Sequence, residues 1–295
     1  MTGIDQEKKI TLQLTWADYG SKNLAARVAE FKRRNTYIEL DDRVAAIQFL
    51  RGTSARASHL LPALYLVLGA GSRSRETEGD HWKAVQGAIL EETALQSIAL
   101  ACRAIFDDSR KQGRLSGKRI ASLSDATLAS VAEYWTARSP RSNADAVKAL
   151  ELLRKLFARC AQPESILVDQ TSLLERRIGL LKFYAHRHAA HISLQDYLFD
   201  ILDLIHVVAA IVLIGAIIID FDAPERASGY FDSVDEGGWA VAKAIFPELQ
   251  GERVFKNWDI HEQAAIKWRN PYTDGVEYIL NQLPSAIGYW DSRRS

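Results

Sequence analysis

The sequence is short of cysteine and has no excess of charge of either sign. Its 295 residues include two cysteines, Cys102 and Cys160, which do not form a Cys-X-X-Cys pair. This argues against a disulfide-built scaffold and against a zinc site made of cysteines. Lysine plus arginine and aspartate plus glutamate are 37 each, which excludes a polybasic tail protein and an acidic disordered chain. A local basic face for nucleic acid is compatible with this balance.

The sequence also lacks an export signal and a long apolar run. Residues 1–9 are polar and charged, without the apolar stretch that a signal peptide needs. The one candidate for a membrane span is the uncharged run at residues 207–219, whereas a spanning helix needs about 20 apolar residues. We therefore predict a buried core helix at this run, no membrane partner, and a cytoplasmic protein with reduced thiols.

Helical patterning covers most of the chain, and no internal repeat is visible. Apolar residues recur every three or four positions, as they do on one face of an α-helix. Ser124 or Asp125, Asn143 and Ser193 stand where helix N-caps are expected. We predict helices over residues 41–68 with a break near Pro62, and over 81–108, 124–138, 143–160, 172–191 and 193–219.

Glycines and charged residues mark the segments between these helices. We predict loops over residues 69–80, 110–119 and 220–238. The fold class is therefore all-α, an antiparallel helical bundle with helical N- and C-terminal additions. We expect an N-terminal helical extension at 1–84, the bundle at 85–220 and a C-terminal extension at 221–295.

Two short motifs suggest ligands but lack the residues that those ligands need. The run from Leu64 to Ser74 contains Gly-Ala-Gly, yet Ser74 stands where a dinucleotide fingerprint has its third glycine. An ordinary loop is therefore favoured there. Asp220 and Asp222 offer two carboxylates for magnesium but no third ligand, so a solvated helix end is favoured. We expect no cofactor and no metal.

Three of the seven histidines fall within six residues, at His186, His188 and His191. A regular helix turns His186 about 200° away from His188, so it cannot present all three to one zinc ion. Arg187 and His191 instead lie side by side at i and i+4. They suit metal-free attack of an RNA 2′-hydroxyl on the neighbouring phosphate, because arginine binds phosphate and histidine exchanges protons near neutral pH. Alternatively, His188 and His191 are packed residues that continue the apolar stripe of Tyr184.

Three segments of the chain resemble one known family. They are QSIALACRAIFDD at residues 96–108, FYAHRHAAHISL at 183–194, and the helix LQDYLFDILDLIHVVAAI at 194–211. Together they are similar to the HEPN superfamily, in particular its abortive-infection U-like branch, and the similarity covers about residues 85–215. The resemblance implies a helical bundle that dimerises. In active members of the family it also implies a metal-independent endoribonuclease.

The resemblance implies site residues in two registers. In the first, the family's arginine and histidine fall on Arg187 and His191, with three residues between them where active members have a longer spacer. His191 would then be the acid/base and Arg187 the phosphate clamp, supported by His188 and Tyr184. In the second register the histidine is His186, and no basic residue stands at the arginine position.

Basic residues ahead of the motif are candidates for contacts with an RNA backbone: Arg110, Lys111, Arg114, Lys118 and Arg119. Two functions stay open. One is an endoribonuclease in phage defence or a toxin–antitoxin system. The other is a non-catalytic helical module for dimerisation, partner binding or nucleotide sensing. The expected partners are RNA, a second copy of the chain, and an antitoxin or nucleotidyltransferase.

Overall fold

The described part of the chain is all-α. The computed structural model describes residues 41–76, 81–107, 116–170, 172–186 and 201–256, together with 260 and 262. Within these ranges there is no strand, and a 3₁₀ turn at Pro224–Arg226 joins the last two helices. The α-helices are α1 Asp42–Glu76, α2 His81–Ile105, α3 Gly117–Ala121, α4 Asp125–Thr136, α5 Asn143–Cys160, α6 Glu164–Leu167, α7 Leu173–Tyr184, α8 Ile201–Asp222 and α9 Tyr230–Ile245. The predicted all-α bundle is confirmed.

Helix α8 is the centre of the bundle. Every residue from Leu204 to Ile219 is buried, and α8 contacts α1, α2, α4, α5 and α7. It is long and apolar enough to cross a membrane, but 83% of its most apolar window is buried within the fold. The run at 207–219 therefore forms the predicted core helix.

Helix α1 is longer and more regular than predicted. The break near Pro62 and the loop beginning at Gly69 are both wrong, since one helix runs through these residues to Glu76. Tertiary packing explains the difference. A Cβ atom at Gly238 of α9 would lie 3.0 Å from the Cα of Pro62, and one at Gly69 would lie 2.4 Å from the Cδ2 of Phe246. The proline and the glycine are thus where α1 meets α9 most closely, and this burial outweighs their weak helix propensity.

The loop predicted at 220–238 is also wrong. Helix α8 continues to Asp222, and α9 occupies residues 230–245. The residue before α9 is Gly229, whose φ of 68° is a left-handed conformation that favours glycine. Phe231 and Ala242 of α9 are buried in the core. Their burial stabilises a helix whose acidic residues and glycines resemble a loop when read alone.

Serine caps begin the helices around the middle of the chain. The Thr127 N–H donates to Ser124 Oγ at 3.1 Å, and the Asp145 N–H donates to Ser142 Oγ at 3.1 Å. Ser124 is thus the predicted N-cap of α4, while α5 is capped one residue before the predicted Asn143. The predicted loop at 110–119 is wrong at its end, because Ser116 caps the short helix α3.

One hydrophobic core joins helices from all three predicted regions. Helices α1 and α2 run antiparallel, since Gly87 near the start of α2 packs on Arg73 near the end of α1. Leu61 of α1, Val212 of α8 and Phe231 of α9 belong to the same buried cluster. Residues on both sides of the expected boundaries at 84/85 and 220/221 therefore contribute to a single core.

Candidate functional site

The predicted histidine motif begins at the C-terminal end of α7. The α-helix ends at Tyr184, and a wider π-helical turn follows at residues 185–186. Of the predicted site residues, Tyr184 is described, whereas Arg187, His188 and His191 lie outside the described residues. The described part of the motif is therefore the C-terminal end of α7, together with the side chains that contact it.

Tyr184 is held by a carboxylate of α2. Its ring is buried, and its hydroxyl donates to Glu92 Oε1 at 2.9 Å. The same oxygen accepts from Gln96 Nε2 at 2.7 Å. Burial and the hydrogen bond to Glu92 raise the pKa of Tyr184 well above its usual value. The tyrosine therefore stays protonated and fixes the end of α7 against α2.

His186 is held by a carboxylate of α6. Its Nδ1 lies 3.0 Å from Glu164 Oε1, and 44% of its side chain is exposed. Burial acts to raise the pKa of Glu164, but its hydrogen bond with His186 holds the pKa below its ordinary value. An ionised carboxylate only accepts, so Nδ1 of His186 carries the proton in this hydrogen bond. A histidine oriented in this way suits general acid–base chemistry.

Lys182 anchors α7 from the buried side. It is 2% exposed, and its Nζ donates to the carbonyl oxygens of Phe106, at 2.8 Å, and of Gln162. These carbonyls lie just beyond the C-terminal ends of α2 and α5, where helix dipoles favour a cation. Lys182 is thus structural. In the second register it is one of the two basic residues nearest to the arginine position, and its buried contacts exclude it as a phosphate clamp.

The two thiols contribute no chemistry. Cys102 and Cys160 are free and fully buried. Burial raises the pKa of Cys102 to about 12 and the pKa of Cys160 further still. Both thiols therefore stay protonated at neutral pH and are poor nucleophiles.

Helices α7 and α8 are linked by a second buried polar group. Arg177 Nε donates to Asp203 Oδ1, and Arg177 Nη1 donates to Nδ1 of His206. His206 is fully buried, and within the part of the chain that the structure describes its Nε2 has no hydrogen-bond partner. Burial and the charge of Arg177 lower the pKa of His206 to about 4. His206 is therefore neutral at physiological pH.

A third buried polar cluster joins α1 to α9. The hydroxyl of Tyr65 donates to Asp235 Oδ1 and accepts from the Val254 N–H at 3.0 Å. Arg253 Nη1 lies 3.3 Å from Asp235 Oδ2. Burial, the largest influence, raises the pKa of Asp235 to about 6. This carboxyl therefore titrates at a higher pH than His206 in the folded protein.

Asp235 and His206 are expected to change stability in opposite directions between pH 4 and 6.5. As the pH falls, His206 of the unfolded chain binds a proton at a higher pH than His206 of the folded chain, so acid destabilises the fold through this residue. Asp235 of the folded chain binds a proton at a higher pH than Asp235 of the unfolded chain, so acid stabilises the fold through this residue. Asp235→Asn should therefore make stability fall more steeply towards acid, by about 3 kcal/mol relative to the parent over this range. Urea unfolding at several pH values measures this difference. Parallel profiles for parent and variant would contradict the prediction.

Of the five basic residues predicted to contact RNA, the structure describes Lys118 and Arg119. Arg110, Lys111 and Arg114 lie outside the described residues. Lys118 and Arg119 are on α3. Lys118 Nζ donates to Gln162 Oε1 at 3.2 Å, and Arg119 donates to Asp42 Oδ1 through Nε at 3.0 Å and Nη2 at 2.6 Å. Both side chains thus already hold neighbouring elements together.

The carboxylates at the end of α8 are paired with arginines. Arg141 donates to both oxygens of Asp220, at 2.9 and 3.1 Å, and Arg51 Nε donates to Asp222 Oδ2 at 2.7 Å. They are mostly buried, so the expectation of a solvated helix end is wrong: neighbouring arginines, rather than water, neutralise them. Among the described residues no group of three or more histidine, cysteine, aspartate or glutamate side chains is placed to hold a metal ion.

Sequence reasoning missed the two carboxylates that hold the motif. Glu92 lies 92 residues before Tyr184, and Glu164 lies 22 residues before His186. No local pattern connects such distant positions. Neither the scan against family models nor the searches of curated proteins and solved structures finds a match for this chain.

Proposed function

We propose that the protein is a metal-independent endoribonuclease of the HEPN type, acting at the C-terminal end of α7. The observation that carries the proposal is the pair of His186 and Glu164. The carboxylate orients an exposed imidazole at the position where the histidine motif begins. Tyr184 and Lys182, held by their own partners, keep this end of α7 in place.

The proposed reaction transfers two protons around one phosphate. His186 takes the proton of an RNA 2′-hydroxyl, whose oxygen attacks the neighbouring phosphorus. The bond from phosphorus to the 5′-oxygen breaks, and His191 gives that oxygen a proton. Arg187 holds the phosphate bidentately, with His188 beside it. The products are a 2′,3′-cyclic phosphate and a 5′-hydroxyl.

The proposal includes a setting and partners. The enzyme would act in the cytoplasm, in phage defence or a toxin–antitoxin system. Two copies of the chain would bring two α7 ends to one cleft. An antitoxin or nucleotidyltransferase would restrain the enzyme. Arg110, Lys111 and Arg114 would contact the RNA backbone, since Lys118 and Arg119 already have protein partners.

Incubation with total RNA in the presence of EDTA tests the proposed function. The parent protein should produce fragments with 2′,3′-cyclic phosphate ends. His186→Ala and His191→Ala should each slow cleavage by about 100-fold or more, the usual contribution of a general acid or base. His59→Ala is the matched control, because His59 is exposed on α1, outside the motif.

The possible outcomes test the proposed activity, the role of His186 and the attack by the 2′-hydroxyl separately. If the parent protein leaves RNA intact, the proposed function is wrong. If His186→Ala cleaves like the parent while His191→Ala does not, the enzyme stands but His186 is not the base. Products with 3′-hydroxyl ends would exclude attack by the 2′-hydroxyl.

A non-catalytic dimerisation module is the alternative, and one surface favours it. Trp82, Ile89 and Leu100 of α2 are 75%, 61% and 47% exposed. Their spacing puts them on a single stripe of the helix, and the other exposed residues of this stripe, Gln86, Thr93 and Ser97, are uncharged. A long uncharged helix face of this kind suits pairing with another helix. Under this alternative, RNA stays intact in the same incubation.

A further inference from the structure

A cleft of about 600 Å³ lies at the C-terminal end of α8. Its walls come from α1, from the residues after α4, from the end of α8 and from the 3₁₀ turn. The chemically informative lining residues are Arg51, Ser54, Arg138, Asp222, Arg226 and Tyr230. Asp222 is nineteen residues along α8 from Asp203, or about 28 Å at 1.5 Å per residue. The cleft is therefore separate from the group that links α7 to α8.

Tyr134 holds two of the arginines in place. The guanidinium of Arg138 lies 3.9 Å from the centroid of the Tyr134 ring, and that of Arg51 lies 5.6 Å from it. Arg51 Nη2 also donates to the Tyr134 hydroxyl at 2.6 Å. A guanidinium stacked on an aromatic face keeps its in-plane N–H groups available for a phosphate or carboxylate. The ring thus orients Arg138 for an anion before any anion binds.

The cleft has a net positive charge and contains one buried carboxylate oxygen that accepts no hydrogen bond from the described residues. Its three arginines face two carboxylates, Asp222 and Glu225. Arg51 Nε donates to Asp222 Oδ2 at 2.7 Å, while Asp222 Oδ1 is buried and has no hydrogen-bond partner among the described residues. A buried carboxylate oxygen without a donor is costly, so a ligand that donates to it is favoured. The cleft therefore favours a ligand with an anionic group and a hydrogen-bond donor close to it.

We propose that this cleft binds a mononucleotide. The phosphate would lie against Arg138 and Arg226, and a ribose hydroxyl or base amino group would donate to Asp222 Oδ1. The ring of Tyr230, which lines the cleft, offers a surface on which a base can stack. The volume lies within the range of small-molecule sites and is far larger than an inorganic phosphate needs. This site is independent of the proposed ribonuclease and would give the chain a nucleotide-sensing function.

Isothermal titration calorimetry of the full chain in EDTA tests the proposal, with adenosine 5′-monophosphate as the probe. Arg138→Gln should weaken binding by about tenfold or more, because it removes a charge-assisted contact to the phosphate. Arg56→Gln is the matched control, since Arg56 is exposed on α1 but does not line the cleft. His59→Ala, which changes an exposed residue outside the cleft, should bind as the parent does.

Inorganic phosphate and ribose 5-phosphate are the comparison ligands. Both should bind at least tenfold more weakly than the nucleotide, because inorganic phosphate lacks the ribose and the base and ribose 5-phosphate lacks the base. No heat with the nucleotide, or an unchanged affinity in Arg138→Gln, would overturn the site. Ribose 5-phosphate binding as tightly as the nucleotide would overturn its assignment to nucleotides.

Discussion

Replacing Lys182 with methionine is expected to lower the free energy of unfolding by about 3 kcal/mol. Methionine has a similar length but no hydrogen-bond donor, so the carbonyls of Phe106 and Gln162 would lose their partner in the core. Each buried polar group left unsatisfied costs about 1–3 kcal/mol. The C-terminal ends of α2 and α5 would also lose the cation that their dipoles favour. Urea denaturation followed by circular dichroism measures the change.

Lys118→Met is the matched control for this experiment. Lys118 also contacts Gln162, but through the side-chain Oε1 at 3.2 Å, and it lies nearer the surface. We expect a loss of less than about 1 kcal/mol, as is usual for a partly exposed polar contact. Equal losses in the two variants would show that Lys182 has no special role. An unchanged midpoint for Lys182→Met would contradict the capping argument.

Replacing Gly215 with alanine is expected to destabilise the fold by about 2–3 kcal/mol. Gly215 lies in α8, where a Cβ atom would be 2.7 Å from Ala57 Cβ and 2.8 Å from Phe231 Cζ. The Ala57 methyl is fixed to the backbone of α1, so α1 and α8 would have to move apart. Overpacking of this kind usually costs about 1–3 kcal/mol. Thermal and urea unfolding both report the loss.

The same substitution in α9 should have the opposite sign. A Cβ atom at Gly237 meets no atom within 4 Å, and the residue is exposed in the interior of a helix. Alanine there should stabilise the protein by about 0.5–1 kcal/mol, because it is the better helix former. If Gly215→Ala were stabilising as well, close contact among α1, α8 and α9 could not be the reason for glycine at that position.

The elements that could be predicted from the sequence are those with a local signal. Ser124 caps α4 through the Thr127 N–H, and the apolar stripe of α5 is buried as its spacing predicts. Pro62, Gly69 and Gly238 are misleading because their local preference is for a break or a loop. What keeps them helical is the contact of α1 with α9, which joins residues about 175 positions apart in the chain.

The chemistry of the candidate site could be predicted from the sequence, but the residues that hold its side chains in place could not. The residue types at 184–191 indicate phosphate and proton chemistry by themselves. The partners of Tyr184 and His186 are set by the packing of α7 against α2 and α6, which no spacing encodes. The arginine cleft is similar, because Arg51, Arg138 and Arg226 are far apart in the chain and only the fold brings them together.

The burial of α8 has a consequence for synthesis on the ribosome. This helix is the most apolar helix of the described chain, yet it is translated after five of the helices that contact it. The surfaces of α1, α2, α4, α5 and α7 that cover it have left the ribosome before it emerges. Chains are generally folded from the N-terminus during synthesis, and exposed apolar segments aggregate or recruit chaperones. The order of the helices therefore keeps the time short during which α8 meets water without its partners.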